Sequence, residues 1–208
     1  LLNGQTTTVN LVFSEPIDGN TFNSNNDITV VNGSLSLMTS NDNKSWSGTF
    51  TPTTDIEDST NILTVQTGSI NDVLGNPLGD QVFTSNFIID TLKPIVGSFT
   101  LTDTALKAGD TAIVDLVFSE AVSEFSSDDD INTHGIGSLS TMTSSNNINW
   151  SGTFTPSTDL SGGTTNILTL NNTYTDLLGN TGVSITTTQF AIDTLPVSVL
   201  TFTLSDTS

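Results

Sequence analysis

One offset dominates this sequence: shifted by 103–105 residues, the chain matches itself. VNLVFSEPI at Val9–Ile17 returns as VDLVFSEAV at Val114–Val122, and WSGTFTPTTD at Trp46–Asp55 returns as WSGTFTPSTD at Trp150–Asp159. TNILTV at Thr60–Val65 returns at Thr165–Leu170, DVLGN at Asp72–Asn76 returns at Asp176–Asn180, and IDTL at Ile89–Leu92 returns at Ile192–Leu195. Five matches in one order require two copies of one module. The phase adds a constraint, because SFTLTDTA at Ser98–Ala105 has its counterpart, TFTLSDTS, only at Thr201–Ser208. No equivalent stands ahead of Leu1. The expected division is therefore a repeat over 1–92 lacking its first strand, a complete repeat over 93–195, and the first strand of a following repeat over 196–208. Such phasing is expected of a window on a longer array, or of a subunit that lends its last strand to a neighbour.

The complete copy contains runs of strand character near Ser98–Asp103, Thr111–Ser119, Asp130–Thr133, Ser138–Ser144, Asn149–Thr155, Asn166–Asn171 and Ser184–Ile192, bounded by Asn, Asp, Gly, Ser and Pro clusters. Alternation supports them. Val114, Leu116 and Phe118 fall on one face, as do Trp150, Gly152 and Phe154. No window sustains a helical period. Short strands at this density, separated by frequent turns, predict an all-β chain: two tandem seven-stranded immunoglobulin-like β-sandwiches, the first without its first strand and with an extra strand at the C-terminus.

The order FSE, then WSGTFTP, then TNILTV or TNILTL, then DVLGN or DLLGN, then IDTL, resembles the bacterial Ig-like repeats of large secreted surface adhesins, including biofilm-associated and RTX-type proteins. The resemblance spans the whole chain. It implies a structural repeat of an extracellular or cell-surface protein, serving as a stalk whose distal ligand this segment does not contact. The implied partners are neighbouring Ig-like repeats or identical subunits, and the implied role is cell adhesion.

Charge narrows the partners further. The chain carries 22 acidic residues against Lys44, Lys93 and Lys107, with no Arg, for a net charge of −19. Such a surface repels phosphates and has no basic stripe to release counterions, which excludes nucleic acid. Anionic membranes are disfavoured for the same reason, and no apolar run reaches the roughly 20 residues of a spanning helix. Cations are the natural partners, because unscreened carboxylates repel one another across a compact fold. There is no cysteine, so disulfides and thiolate metal sites are absent. The Thr, Asn and Asp bias points to the exterior, and any targeting segment would lie outside these residues.

In a sandwich of alternating strands the B–C, D–E and F–G loops gather at the end where the preceding linker enters. That places Glu120 and Asp176 near the linker residue Asp90, a candidate Ca²⁺ cage once carbonyls and water complete its oxygens. Asp128, Asp129 and Asp130 lie in the same B–C loop. Glu15, Asp27 and Asp72 correspond in the first copy, and Asp193 is the matching linker carboxylate for a following domain. Calcium binding at junctions is also what the resemblance implies. Against it, LGN is a good turn, a Glu after a strand is usually solvated, and the spacing is not that of an EF-hand loop.

Catalysis lacks its players. His134, the only histidine, is missing from the first copy and sits in a Thr-His-Gly turn, and neither a second His nor a Cys completes a nucleophile relay. Trp46 and Trp150 run in phase with Phe50 and Phe154, which predicts core in preference to a sugar platform. Sequons at Asn32, Asn43, Asn149 and Asn171 are short enough to arise by chance in so Asn- and Ser-rich a chain. Two functions remain: a calcium-stiffened spacer of a surface adhesin or fibre, and a self-assembling filament or surface-layer subunit joined by donor-strand complementation.

Overall fold

Alternate residues of Ala112–Phe118 are apolar, and a strand built from them can bury one face. Ala112, Val114, Leu116 and Phe118 are all buried, while Ile113, Asp115 and Val117 between them are not. A computed structural model describes residues 1–205 and divides the chain into two units, the first Leu1–Lys93 and the second from Pro94 onward. Each has its own hydrophobic core.

The first unit comprises β1 (Thr7–Val12), the one-turn helix α1 (Ser24–Asp27), β2 (Ile28–Thr29), β3 (Gly33–Leu35), β4 (Ser45–Pro52), β5 (Glu57–Asn61), β6 (Thr64–Val65), β7 (Val82–Phe83) and β8 (Phe87–Asp90). The second comprises β9 (Val96–Leu101), β10 (Ala105–Lys107), β11 (Ala112–Phe118), β12 (Val122–Ser123), α2 (Ser127–Asp130), β13 (Ile131–Asn132), β14 (Gly137–Leu139), β15 (Asn149–Pro156), β16 (Gly163–Asn166), β17 (Thr169–Leu170), β18 (Thr175–Asp176), β19 (Ile185–Thr186) and β20 (Phe190–Asp193).

In the second unit one sheet runs β14-β15-β11-β9, which is D-E-B-A of an immunoglobulin-type sandwich. Two short ladders, β13-β17-β19 and β10-β20-β16, supply the C, F and G side. Phe99, Leu116 and Phe154 from the first side meet Ile131, Leu168 and Phe190 from the other in one core.

The expected single strands at Asn166–Asn171 and Ser184–Ile192 are each divided in two. β16 pairs with β20 and β17 with β19, with an irregularity between Gly163 and Asn166. The cause is a side chain, because Asn166 Nδ2 donates to the carbonyls of Gly163 (2.9 Å) and Phe190 (3.1 Å) where ladder bonds would run. Asn61 does the same in the first unit, donating to Asp58 and Phe87. Asp130, read as opening a strand, instead ends α2.

The first unit repeats this plan without counterparts of β9 and β10, and with only the isolated bridge of Ile17 and Asp72 where β12 pairs with β18. Its sheet is β1-β4-β3, so β1 is an edge strand where its counterpart β11 has β9 beside it. The segment read as an extra C-terminal strand joins no sheet over Thr201–Ser205, and Asp206, Thr207 and Ser208 lie outside the described residues. A strand with no partner has no ladder to hold it.

Candidate functional site

Each repeated polar motif has a local bracing task. In DLLGN, Asp176 Oδ1 accepts the N–H groups of Leu178 (2.8 Å), Gly179 (2.6 Å) and Asn180 (2.9 Å), while Oδ2 accepts Asn180 Nδ2 (2.7 Å). Asp72 closes the equivalent turn on Leu74 and Asn76, and the bonds from Asn76, side chain first, hold its carboxyl below the usual range. In IDTL, Thr91 Oγ1 donates to the Thr53 carbonyl (2.7 Å) and accepts the Ile56 N–H (3.0 Å). Thr194 repeats this with Ser157 and Leu160. In FSE, Ser119 Oγ accepts the Ile95 N–H at 3.0 Å, fastening the start of β9.

The acidic candidates separate into groups. Asp27 and Asp130 are buried at the ends of α1 and α2, where each accepts the backbone N–H at the start of its helix, Asn23 (2.6 Å) and Ser126 (2.8 Å). Each also accepts a hydroxyl, from Ser69 and Thr173 respectively. These are caps on single helical turns. Asp128 and Asp129 are exposed, the former accepting the Thr141 hydroxyl at 3.2 Å. Asp90 is buried and accepts the Leu92 N–H; exposed Asp193 accepts that of Leu195. Glu15 and Asp72 line one hollow of the first unit together with Ser14 and Asn76. Glu120 is half-buried, directly before β12, which pairs through Val122 with Asp176. Among the described residues no group of three or more His, Asp or Glu side chains is set to hold a metal ion.

Where the first copy lacks its first strand, an apolar furrow runs along β1. Val9 and Leu11 are only partly buried, whereas their counterparts Val114 and Leu116 are sealed. Thr84 is exposed where Thr187 is buried, and Phe83 is 59% exposed. Adjoining hollows follow the strand from Thr7 to Leu11 over Leu63 and Val65, and a third continues past Phe13 to Ser14. In the second unit the residue closing this space is Phe99 of β9, paired opposite Leu116 and 5% exposed. The signal in the sequence was the absent first strand of the first copy.

A family model described as bacterial Ig-like domain matches residues 1–88 and again 90–192. The chain belongs to the bacterial Ig-like domain family. No curated protein matches it. Bacterial Ig-like domains are typical of surface proteins and typically non-catalytic. Trp46 and Trp150 pack edge-on against Phe22 and Phe125, each with ring centres 4.8 Å apart, and both indole N–H groups are buried without a hydrogen-bond partner. His134 is exposed in a turn with φ of 53° and reaches Thr169 Oγ1 at 2.9 Å. No helix among the described residues is long and apolar enough to cross a membrane.

Proposed function

We propose that this chain is a structural repeat of an extracellular adhesin or cell-surface fibre, a spacer that holds other parts of the protein away from the cell. The observation carrying this reading is that two Ig-like units recur in tandem with the same side chains bracing the same turns and corners. Asp72 and Asp176, Thr91 and Thr194, and Asn61 and Asn166 all act on their own backbone. A module selected for bracing and repetition suits a mechanical task.

Calcium stiffening is part of the proposal. It rests on the net charge of −19 and on acidic residues recurring at Asp90 and Asp193, Glu15 and Glu120, and Asp72 and Asp176, not on an assembled ligand set. A divalent ion bridging two such carboxylates would relieve their repulsion and restrict bending at Leu92–Pro94. Small-angle scattering on the chain in calcium and in chelator tests this: the largest dimension should be greater in calcium. An identical scattering profile in both would rule out the calcium component while leaving the spacer reading intact.

A further inference from the structure

The residue that opens β3 must be glycine in both copies. A Cβ on Gly33 would lie 2.3 Å from the Phe50 ring, and one on Gly137, which opens β14, would lie 2.5 Å from that of Phe154. The second copy sets Ile136 before this glycine, whereas the first sets Asn32. In an Asn-Gly pair no side chain on the second residue shields its backbone nitrogen from the amide carbon of the first. Here that nitrogen is also off the ladder. The Thr53 N–H donates to the Asn32 carbonyl (3.0 Å) and the Ser36 N–H to the Thr49 carbonyl (2.8 Å), so hydrogen-bonded pairs alternate and Gly33, opposite Pro52, falls between them. As β3 is an edge strand, the Gly33 N–H points away from β4.

The Asn32 side chain has a specific task. It is half-buried, at φ of 52°, and its Nδ2 donates to Asp58 Oδ2 (2.8 Å) and Asn61 Oδ1 (2.9 Å). Other bonds fix both acceptors. Asp58 Oδ1 accepts the Thr60 N–H (2.7 Å) and hydroxyl (2.8 Å), and these bonds, with that of Asn32, hold the Asp58 carboxyl below its usual range. Asn61 is buried and commits its own amide N–H groups to the Asp58 and Phe87 carbonyls, the staple between β5 and β8. Asn32 is thus a donor set between two acceptors, and a carboxylate in its place would have no proton to give either. In the second copy Ile136 packs against the core and Gly163 stands where Asp58 does, so the Asn166 staple is made without a partner of this kind.

We infer that Asn32–Gly33 is a site of spontaneous deamidation, and that its conversion releases the staple of the first unit. The Gly33 nitrogen gives its proton to solvent base and bonds to Asn32 Cγ; the Cγ–Nδ2 bond breaks and ammonia leaves. Water then opens the ring imide at one carbonyl or the other, leaving aspartate or isoaspartate. The new carboxylate faces Asp58 Oδ2 and Asn61 Oδ1 with repulsion in place of two hydrogen bonds, and β5 loses part of its hold on β8. The first unit therefore weakens with age, while the second, which contains no Asn-Gly pair, does not. This goes beyond the spacer reading and does not depend on it, since a folded unit can carry such a site whatever it is used for.

The test incubates the folded 208-residue chain in mildly alkaline buffer beside a denatured sample, and follows Asn32 by peptide mapping with mass spectrometry. The acid should accumulate at Asn32 in the folded sample. Denaturant unfolding of the aged chain should show the first unit's transition moving to lower denaturant, toward that of the Asn32→Asp variant, with the second unit's transition unmoved. The Asn32→Gln variant, whose longer side chain closes a ring less readily, should keep its first-unit transition through the same incubation, which separates this site from the exposed Asn3–Gly4 pair. Asn32 left intact in the folded chain after the denatured sample has converted would overturn the proposal. So would conversion that leaves the first-unit transition in place, or an Asn32→Gln chain that weakens as much as the parent. Should Asn32→Asp not fold, the shift of the aged parent chain alone decides.

Discussion

Tyr174 and Gly182 make up one packing unit that the two copies build differently. The Tyr174 ring is fully buried, its hydroxyl donates to the Val183 carbonyl at 2.9 Å, and burial pushes the phenol up from its ordinary value. A Cβ on Gly182 would lie 2.1 Å from that ring, so the glycine is what leaves room for it. At the corresponding positions the first copy has Ile70 and Leu78, a smaller residue facing a larger one. Gly182→Ala should therefore destabilise the second unit by about 1–3 kcal/mol, the usual range for forcing a methyl into a packed core. Gly182→Leu alone should cost more still, and adding Tyr174→Ile to it, which gives the pair found in the first copy, should recover part of that loss. Denaturant unfolding of the single and double variants measures both; a single variant as stable as the parent would refute the packing account.

At the scale of elements, long strands were legible and short ones were not. β9, β11 and β15 carry enough alternating residues for their faces to show in the sequence, and they lie within two residues of the runs expected there. The division of the F and G strands was hidden, because it depends on one amide bonding across to a neighbouring strand and not on any run of residues. The capping role of two acidic positions was hidden in a related way: Asp27 and Asp130 read as candidate loop ligands, and a carboxylate four residues after Asn23 or Ser126 can return to that residue's N–H and close a helical turn. Asp72 and Asp176 were legible as turn formers from LGN alone. The furrow was legible only as a missing copy of a strand, since which side chains it bares depends on the partner sheet. If Asn61 is the staple described, Asn61→Ala leaves the Phe87 carbonyl without its side-chain donor and should cost the first unit about 1–3 kcal/mol. Chemical denaturation would show this as an earlier transition of that unit, and an unshifted transition would remove the staple from the account.

For the whole molecule, the relevant facts are two separate cores, no disulfide, and a strongly one-signed surface. Without covalent staples, resistance to force must come from the ladders, and those between β1 and β4 and between β11 and β15 are the longest shared by both units. The second unit adds β9 on the far side of β11, whereas the first leaves β1 held from one side only. The two should therefore differ in strength while behaving alike in kind. Single-molecule extension of the chain tests the spacer reading most directly. The account predicts two separate unfolding events, each releasing about 300 Å, the extended length of roughly 90 residues, with one event at clearly lower force than the other. A smooth extension without force peaks, or one event releasing the whole chain, would contradict it.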